Sequence, residues 1–150
     1  MTAAGTGSWN ELATLEIPAS TDGMSIGIKC RNTGGGPYGI MAQVTDETGE
    51  VLLVTDSSWR CSDQAPDGWS APDFSEAANW DPARVDVNQP GFKRNTGAWQ
   101  HFSNDRRVIW AQSSAAVAYC RIDLPKLIGK YFSHTCTVAA YLNPNPSPKY

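Results

Sequence analysis

Apolar and polar residues alternate along several short stretches of this chain, and clusters of turn-forming residues separate the stretches. The alternation is strictest over residues 24–32, where every second position from Met24 to Cys30 is apolar or cysteine. A period of two places these side chains on one face of a β-strand and the intervening ones on the other. The stretch therefore predicts a strand that is buried on one side.

Further strands are predicted wherever short apolar or β-branched runs lie between turn signals. They are residues 10–18, 40–46, 50–56, 84–89, 106–112, 116–124 and 134–143. Glu47, Thr48 and Gly49 separate the second and third of these runs, which predicts a β-hairpin.

Helix is predicted only in short pieces. Residues 73–79 fit one helical turn, capped by Asp73 and with Glu76 placed to complete a capping box. Residues 124–132 fit either a short helix or a turn. Several strands at regular spacing, with long loops and little helix, indicate an all-β fold, either an antiparallel β-sandwich or a jelly roll.

Length and composition agree with a single domain. A chain of 150 residues, 41% of them apolar, can bury an ordinary core. We expect one domain over residues 1–143 and a Pro-rich tail over residues 144–150. The net charge of -3 argues against a nucleic-acid partner, which needs a concentrated positive face. No apolar run is long enough to span a membrane, and the first residues lack the features of a signal peptide.

The region from Thr55 to Trp80 holds much of the unusual chemistry of the chain. Proline and glycine, at Pro66, Gly68 and Pro72, prevent a helix of useful length. Aromatic rings beside carboxylates on such a loop suit a polar, ring-shaped ligand. The region therefore predicts a functional loop on an all-β scaffold.

The four cysteines, Cys30, Cys61, Cys120 and Cys136, predict two disulfides and an oxidising compartment. Their spacing does not resemble a zinc site, because no CxxC pair occurs. Four cysteines allow three pairings, and the sequence does not choose among them.

Nucleophilic catalysis is not expected, because neither a GxSxG motif nor a motif around the two histidines is present. Carboxylates could hydrolyse glycosides in pairs. The candidates are Asp63, Asp67, Asp73, Glu76 and Asp81. Calcium is another hypothesis, because it binds oxygen ligands of the kind that residues 63–67, 71–76 and 103–105 supply. The alternative is that these polar side chains only stabilise turns.

The six tryptophans divide by context. Trp59 and Trp110 lie in predicted strands and are expected in the core, and Trp80 is expected to pack inward. Trp69 and Trp99 lie in glycine-containing loops. An exposed indole there could stack on a sugar ring, or it could cover the sandwich locally.

Residues 55–62 (TDSSWRCS), 68–83 (GWSAPDFSEAANWDPA), 106–112 (RRVIWAQ) and 118–124 (AYCRIDL) together resemble a known family. They are similar, in order and spacing, to the galactose-binding-like β-sandwich of secreted invertebrate proteins. They are also similar to the accessory jelly rolls of rhamnosidase-type glycoside hydrolases. The resemblance covers about residues 38 to 124.

This resemblance implies a jelly roll in which Trp59, Phe74, Trp80 and Trp110 are structural. It makes Cys61 and Cys120 a plausible disulfide. Cys30 and Cys136 then form the second pair, or one of them is free for a link between chains. Modules of this family often hold calcium and bind sugar through loops at one end.

On this basis we expect a secreted, non-enzymatic lectin of the galactose type, assisted by calcium. Trp69 or Trp99 would stack on the sugar, and neighbouring side chains would bind its hydroxyl groups. These neighbours are His101, Asn104, Asp105 and Arg106, with Asp67 and Asp73. The calcium ligands would be Asp63, Asp67 and Asp73.

The expected partners are glycans or glycoproteins, and a homodimer or higher oligomer would raise weak monovalent affinity. Two alternatives remain. One is a secreted structural or protein-interaction module without a sugar site, and the other is a small glycosidase.

Overall fold

The protein is a β-sandwich of two antiparallel sheets. The computed structural model describes residues 13–18, 24–32, 38–85, 102–124 and 135–143. Within these residues there are ten strands. They are β1 (Ala13–Pro18), β2 (Met24–Arg31), β3 (Gly39–Thr45), β4 (Val51–Val54), β5 (Arg60–Ser62), β6 (Asp81–Pro82), β7 (Arg84–Val85), β8 (Ile109–Trp110), β9 (Val117–Leu124) and β10 (Thr135–Asn143). One short 3-10 helix, Glu76–Asn79, precedes β6.

The first sheet has the strand order β1-β10-β3-β8-β7, and β4 also pairs with β3. The second sheet has the order β2-β9-β5-β6. Every pairing is antiparallel, and strands that are distant in sequence are neighbours in both sheets. The prediction of an all-β sandwich with little helix is confirmed for the described residues.

The predicted hairpin is β3–β4. Gly49 adopts a φ of 85°, which favours glycine, in the turn between the strands. The Asp46 carboxylate accepts hydrogen bonds from the Thr48 and Glu50 backbone N–H groups at 2.8 and 2.9 Å. A hydrogen bond from the Thr48 side chain is the main cause that lowers the pKa of Asp46. The predicted hairpin is therefore confirmed, and the Asp46 side chain stabilises its turn.

The core lies between the sheets and receives residues from both. Trp59 and Trp110 are 1% and 0% exposed, and each indole N–H donates to a backbone carbonyl, of Val54 and Ala115 respectively. Both tryptophans are core residues, as predicted. In β2, Ile26 and Ile28 contact the core while Gly27 and Lys29 are exposed, so the predicted alternation is also confirmed.

The predicted disulfide between Cys61 and Cys120 is present. The two residues are direct cross-strand partners in β5 and β9, with Cα atoms 4.1 Å apart. The predicted bond between Cys30 and Cys136 is wrong, because Cys30 is a free, buried thiol. Cys30 lies in the second sheet opposite Ala118, enclosed by core residues, whereas Cys136 lies in the first sheet. Burial raises the pKa of Cys30 to about 12.

Two local predictions need correction. Of residues 106–112, only Ile109–Trp110 forms a strand, because Arg107 instead bonds Thr55 through its backbone N–H and carbonyl. The 3-10 helix is preceded by Ser75, without a side-chain cap, so Asp73 and Glu76 do not form the predicted capping box.

The region from Thr55 to Trp80 is also less irregular than predicted. It contains β5, which forms the centre of the second sheet together with β9. The strand predicted at 84–89 is described only at Arg84–Val85. The predictions for residues 125–132 and for the tail at 144–150 lie outside the described residues.

Candidate functional site

Residues 63–80 form a loop that folds back across the second sheet. Trp69 lies over Gly27, on the exposed side of β2, so closely that a Cβ atom at Gly27 would be 2.7 Å from the Trp69 ring. The Ser25 hydroxyl donates to the carbonyl of Ser70 at 3.4 Å. The absence of a side chain at Gly27 thus creates the space that Trp69 occupies.

Arg121 of β9 holds this covering loop in place. Its side chain is only 1% exposed and donates to the carbonyls of Trp69, Ala71 and Pro72 at 2.7, 2.6 and 3.3 Å. It also donates to the Asp123 carboxylate, at 2.9 and 3.1 Å. A planar guanidinium can serve several acceptors at once, and this one joins the loop to the sheet.

Aromatic side chains pack together beneath and within the loop. The Trp69 ring stacks on Trp80 at 6.2 Å and meets the Tyr119 ring edge-on at 5.3 Å. Phe74 contacts the edge of Trp80 at 5.8 Å. Phe74 and Trp80 therefore contribute to packing, as predicted. Trp69 is half-buried in the same cluster rather than freely exposed. Its predicted role in stacking on a sugar stays a prediction.

A polar cleft of about 210 Å³ opens beside this cluster. Its walls come from the end of β5, the segment from the 3-10 helix to β6, and the turn after β8. The lining residues are Cys61, Ser62, Asp63, Asn79, Trp80, Asp81, Ala111, Gln112 and Ser113. The disulfide and the β5–β6 pairing fix the position of these walls, because Cys61 lies opposite both Cys120 and Asp81.

Hydrogen bonds orient the polar groups at the cleft. The Ser113 hydroxyl donates to the Asp63 carboxylate at 2.7 Å. The Gln112 amide donates to the carbonyl of Pro82 at 2.8 Å, which leaves the Gln112 carbonyl oxygen as an acceptor. Two carboxylates, two amides and two hydroxyls thus surround a half-buried indole. The cleft therefore combines one aromatic residue, Trp80, with many hydrogen-bonding groups.

Three other predicted site residues, Asn104, Asp105 and Arg106, lie in the segment before β8. The Ser103 N–H donates to the Gln43 side chain at 2.7 Å, which places this segment against β3. Arg106 is 6% exposed, and desolvation lowers the pKa of its guanidinium. Asn104 and Asp105 are exposed beside it. Asn104, Asp105 and Arg106 therefore do not line the cleft, whose walls come from β5, β6 and the turn after β8. Trp99 and His101 lie outside the described residues.

The predicted calcium ligands are also divided. Asp63 lines the cleft, whereas Asp67 and Asp73 are exposed on the covering loop and do not line it. Among the described residues, no group of three or more His, Cys, Asp or Glu side chains is arranged to hold a metal ion. Calcium binding stays a prediction.

Sequence reasoning missed most of the cleft. Trp80 was assigned to packing alone, and Gln112 and Ser113 were not considered. Asp81 was considered only as a glycosidase carboxylate. The fold brings together residues that are distant in sequence, such as Asp63 and Ser113, which are 50 positions apart. Nothing in their local sequence indicates this proximity.

No protein-family model matches the chain, and searches of curated proteins and of solved structures find no match to it either. The resemblance to galactose-binding-like modules therefore rests on the motifs alone. No helix in the described part of the chain has the length and apolar character needed to cross a membrane.

Proposed function

We propose that this protein is a lectin that binds a sugar in the cleft beside Trp80. The observation that supports this proposal is the combination of one indole with carboxylate, amide and hydroxyl groups in a single cleft. The apolar C–H face of a sugar packs on an aromatic ring, while polar groups bind its hydroxyls. The site differs from the one expected from the sequence, since Trp80 replaces Trp69 and Trp99 as the stacking residue.

The size of the cleft favours a single sugar unit as the bound group. Pockets for drug-sized ligands are typically about 300–1,000 Å³, and this cleft is smaller and open to solvent. A terminal galactose or related sugar would fit this description. One such site gives weak binding, so the proposal includes a dimer or higher oligomer that binds several sugar units at once.

Two finer proposals accompany the lectin hypothesis. The Cys61–Cys120 disulfide is typical of an oxidising compartment, which supports a secreted protein. Calcium would assist binding by joining loop carboxylates to sugar hydroxyls, with Asp63 as its ligand at the cleft.

A glycan array, run with calcium and again with EDTA, tests the proposal. Asn79→Ala should weaken binding, because Asn79 is exposed and lines the cleft. The matched control is Asn104→Ala, which removes another exposed asparagine on the first sheet and should leave binding unchanged. Loss of binding with Asn104→Ala alone would move the site to the first sheet. An array that stays blank under both conditions would refute the lectin hypothesis.

One observation favours the interaction-module alternative. Trp69 is packed within the covering loop, so its presence in the sequence is explained without any ligand. In that case neither Asn79→Ala nor Trp80→Phe would affect the function, and binding partners would be proteins.

The glycosidase alternative rests on Asp63 and Asp81, the two carboxylates of the cleft. A chromogenic glycoside that is hydrolysed by the protein but not by Asp63→Asn would support it.

A further inference from the structure

Trp80 is the single aromatic residue among the described residues that line the cleft, and two rings of the covering loop contact it. The Trp69 ring stacks on it, with ring centroids 6.2 Å apart and ring planes at 28°. Phe74 meets it edge-on, with centroids 5.8 Å apart. Neither Trp69 nor Phe74 lines the cleft. Their contacts with Trp80 therefore connect the interior of the loop to the wall of the cleft.

Trp69 is itself fixed by the second sheet. A Cβ atom at Gly27 would be 2.7 Å from the Trp69 ring, so the ring fits against the bare backbone of β2. The Tyr119 ring of β9 meets it edge-on at 5.3 Å. The buried Arg121 side chain donates to the Trp69 carbonyl at 2.7 Å. Both the ring and the backbone of the residue that stacks on Trp80 are thus held by the sheet.

We propose that Trp69 is a positioning residue for ligand binding, which holds the Trp80 ring in one orientation at the cleft. Gly27 belongs to the same device, because its missing side chain admits the Trp69 ring, although Gly27 does not line the cleft. This inference rests on the proposed lectin function and adds the residues that prepare its site. A side chain that already has its binding orientation loses less conformational entropy when a ligand binds.

The expected effect follows from the freedom of an indole side chain. A Trp80 side chain without its neighbours could occupy about three χ1 and about two χ2 positions, which makes about six orientations. The apparent affinity falls in proportion to the population of the one orientation that binds. Phe74 still contacts the ring when Trp69 is replaced. We therefore expect a loss of about threefold in affinity, and at most about sixfold.

Fluorine NMR of protein labelled with 5-fluorotryptophan measures the Trp80 ring without any ligand. The chain has six tryptophans, and the signal that disappears in Trp80→Phe belongs to Trp80. The relaxation of this signal reports the mobility of the ring. We expect higher mobility in Trp69→Leu and also in Gly27→Ala, which displaces the Trp69 ring. Trp69→Phe keeps an aromatic ring at this position and should retain most of the rigidity.

Titration calorimetry with methyl galactoside gives the affinities of the same variants. The affinity should fall about threefold in Trp69→Leu and stay close to that of the unsubstituted protein in Trp69→Phe. Ser25→Ala is the matched control, because it removes a hydrogen bond between β2 and the Ser70 carbonyl of the same loop without changing an aromatic ring. This control should leave both the ring mobility and the affinity unchanged.

Unchanged mobility of Trp80 in Trp69→Leu would overturn the inference, and so would an unchanged affinity despite a mobile ring. Equal effects of Ser25→Ala and Trp69→Leu would also overturn it, because attachment of the loop would then explain them. Circular dichroism shows whether Gly27→Ala folds, and Trp69→Leu decides the matter by itself if it does not. A failure of the unsubstituted protein to bind methyl galactoside would refute the proposed galactose-type lectin, while the fluorine signals would still decide whether Trp69 holds Trp80.

Discussion

Arg121 is expected to determine whether the covering loop stays attached to the second sheet. We consider the substitution Arg121→Met, which keeps an unbranched side chain in the buried position but removes the guanidinium. The carbonyls of Trp69, Ala71 and Pro72 then lose their donors. The Asp123 carboxylate also loses its partner, but it is 68% exposed and water can replace the arginine there.

The expected cost follows from these contacts. A buried carbonyl that is left without a donor costs about 1–3 kcal/mol. The loop residues are partly exposed, so each carbonyl can reach water by a small movement, and the lower value applies. Three carbonyls then give a loss of about 3 kcal/mol in the free energy of unfolding. Breaking a buried charged contact typically costs about 3–5 kcal/mol, which agrees with this figure.

Arg60→Met is the matched control. Arg60 is the direct cross-strand partner of Arg121 in the β5–β9 pair, but it is exposed. Within the described part of the chain, its side chain donates to the carbonyl of Trp80 at 3.3 Å. We expect a change of less than about 0.5 kcal/mol for this variant, as for most surface substitutions.

Unfolding in guanidinium chloride, followed by far-ultraviolet circular dichroism, gives the free energy of unfolding of each variant. Hydrogen exchange of residues 63–80 shows whether the loop detaches before the sheets unfold. A loss below about 1 kcal/mol in Arg121→Met, or equal losses in the two variants, would refute the assignment of Arg121 as the anchor. Unchanged exchange in the loop would refute it as well.

Three further predictions concern the core and the covering loop. Gly27→Ala should destabilise the fold by about 1–3 kcal/mol, because the new Cβ would overlap Trp69. Adding Trp69→Leu to the Gly27→Ala variant should recover part of this loss. If denaturant unfolding shows that the effects of the two substitutions simply add, the contact between these residues is contradicted. Replacing Cys61 and Cys120 by Ala should cost about 4 kcal/mol by the chain-entropy estimate for a separation of 59 residues. The unfolding midpoints of the unsubstituted protein with and without reductant measure this loss. The double variant has no disulfide, so reductant should not change its midpoint. Finally, Cys30 should keep its proton in the folded state up to a pH near 12, because burial raises the pKa of its thiol to about 12 from an ordinary value of 9.0. Above pH 9 the unfolded thiol loses its proton while the folded one does not, so stability should fall by up to about 1.4 kcal/mol per pH unit. The Cys30→Ala variant should lack this part of the slope, and equal slopes in the two proteins would contradict the burial of the thiol.

The candidate site was only partly predictable from the sequence. The loop from Thr55 to Trp80 was correctly identified as a region rich in polar and aromatic groups, and Asp63 belongs to the cleft. The predicted partners of this loop did not lie beside it, since Asn104 and Arg106 belong to a segment packed on the first sheet. A sequence shows which chemical groups are present, but it does not show which of two sheets each loop covers.

Local patterns in the sequence predicted the long strands β2, β3, β9 and β10 and the buried face of β2. The alternation in β2, the Gly49 turn between β3 and β4, and the burial of Trp59 and Trp110 all follow from interactions between near neighbours in the chain. Only the tertiary structure decided that Asp63 meets Ser113, that Trp69 fills the space above Gly27, and that Cys30 stays a free thiol. These contacts depend on strand order and register, which pair residues as distant in sequence as Ala13 and Ala140 and which no local pattern encodes.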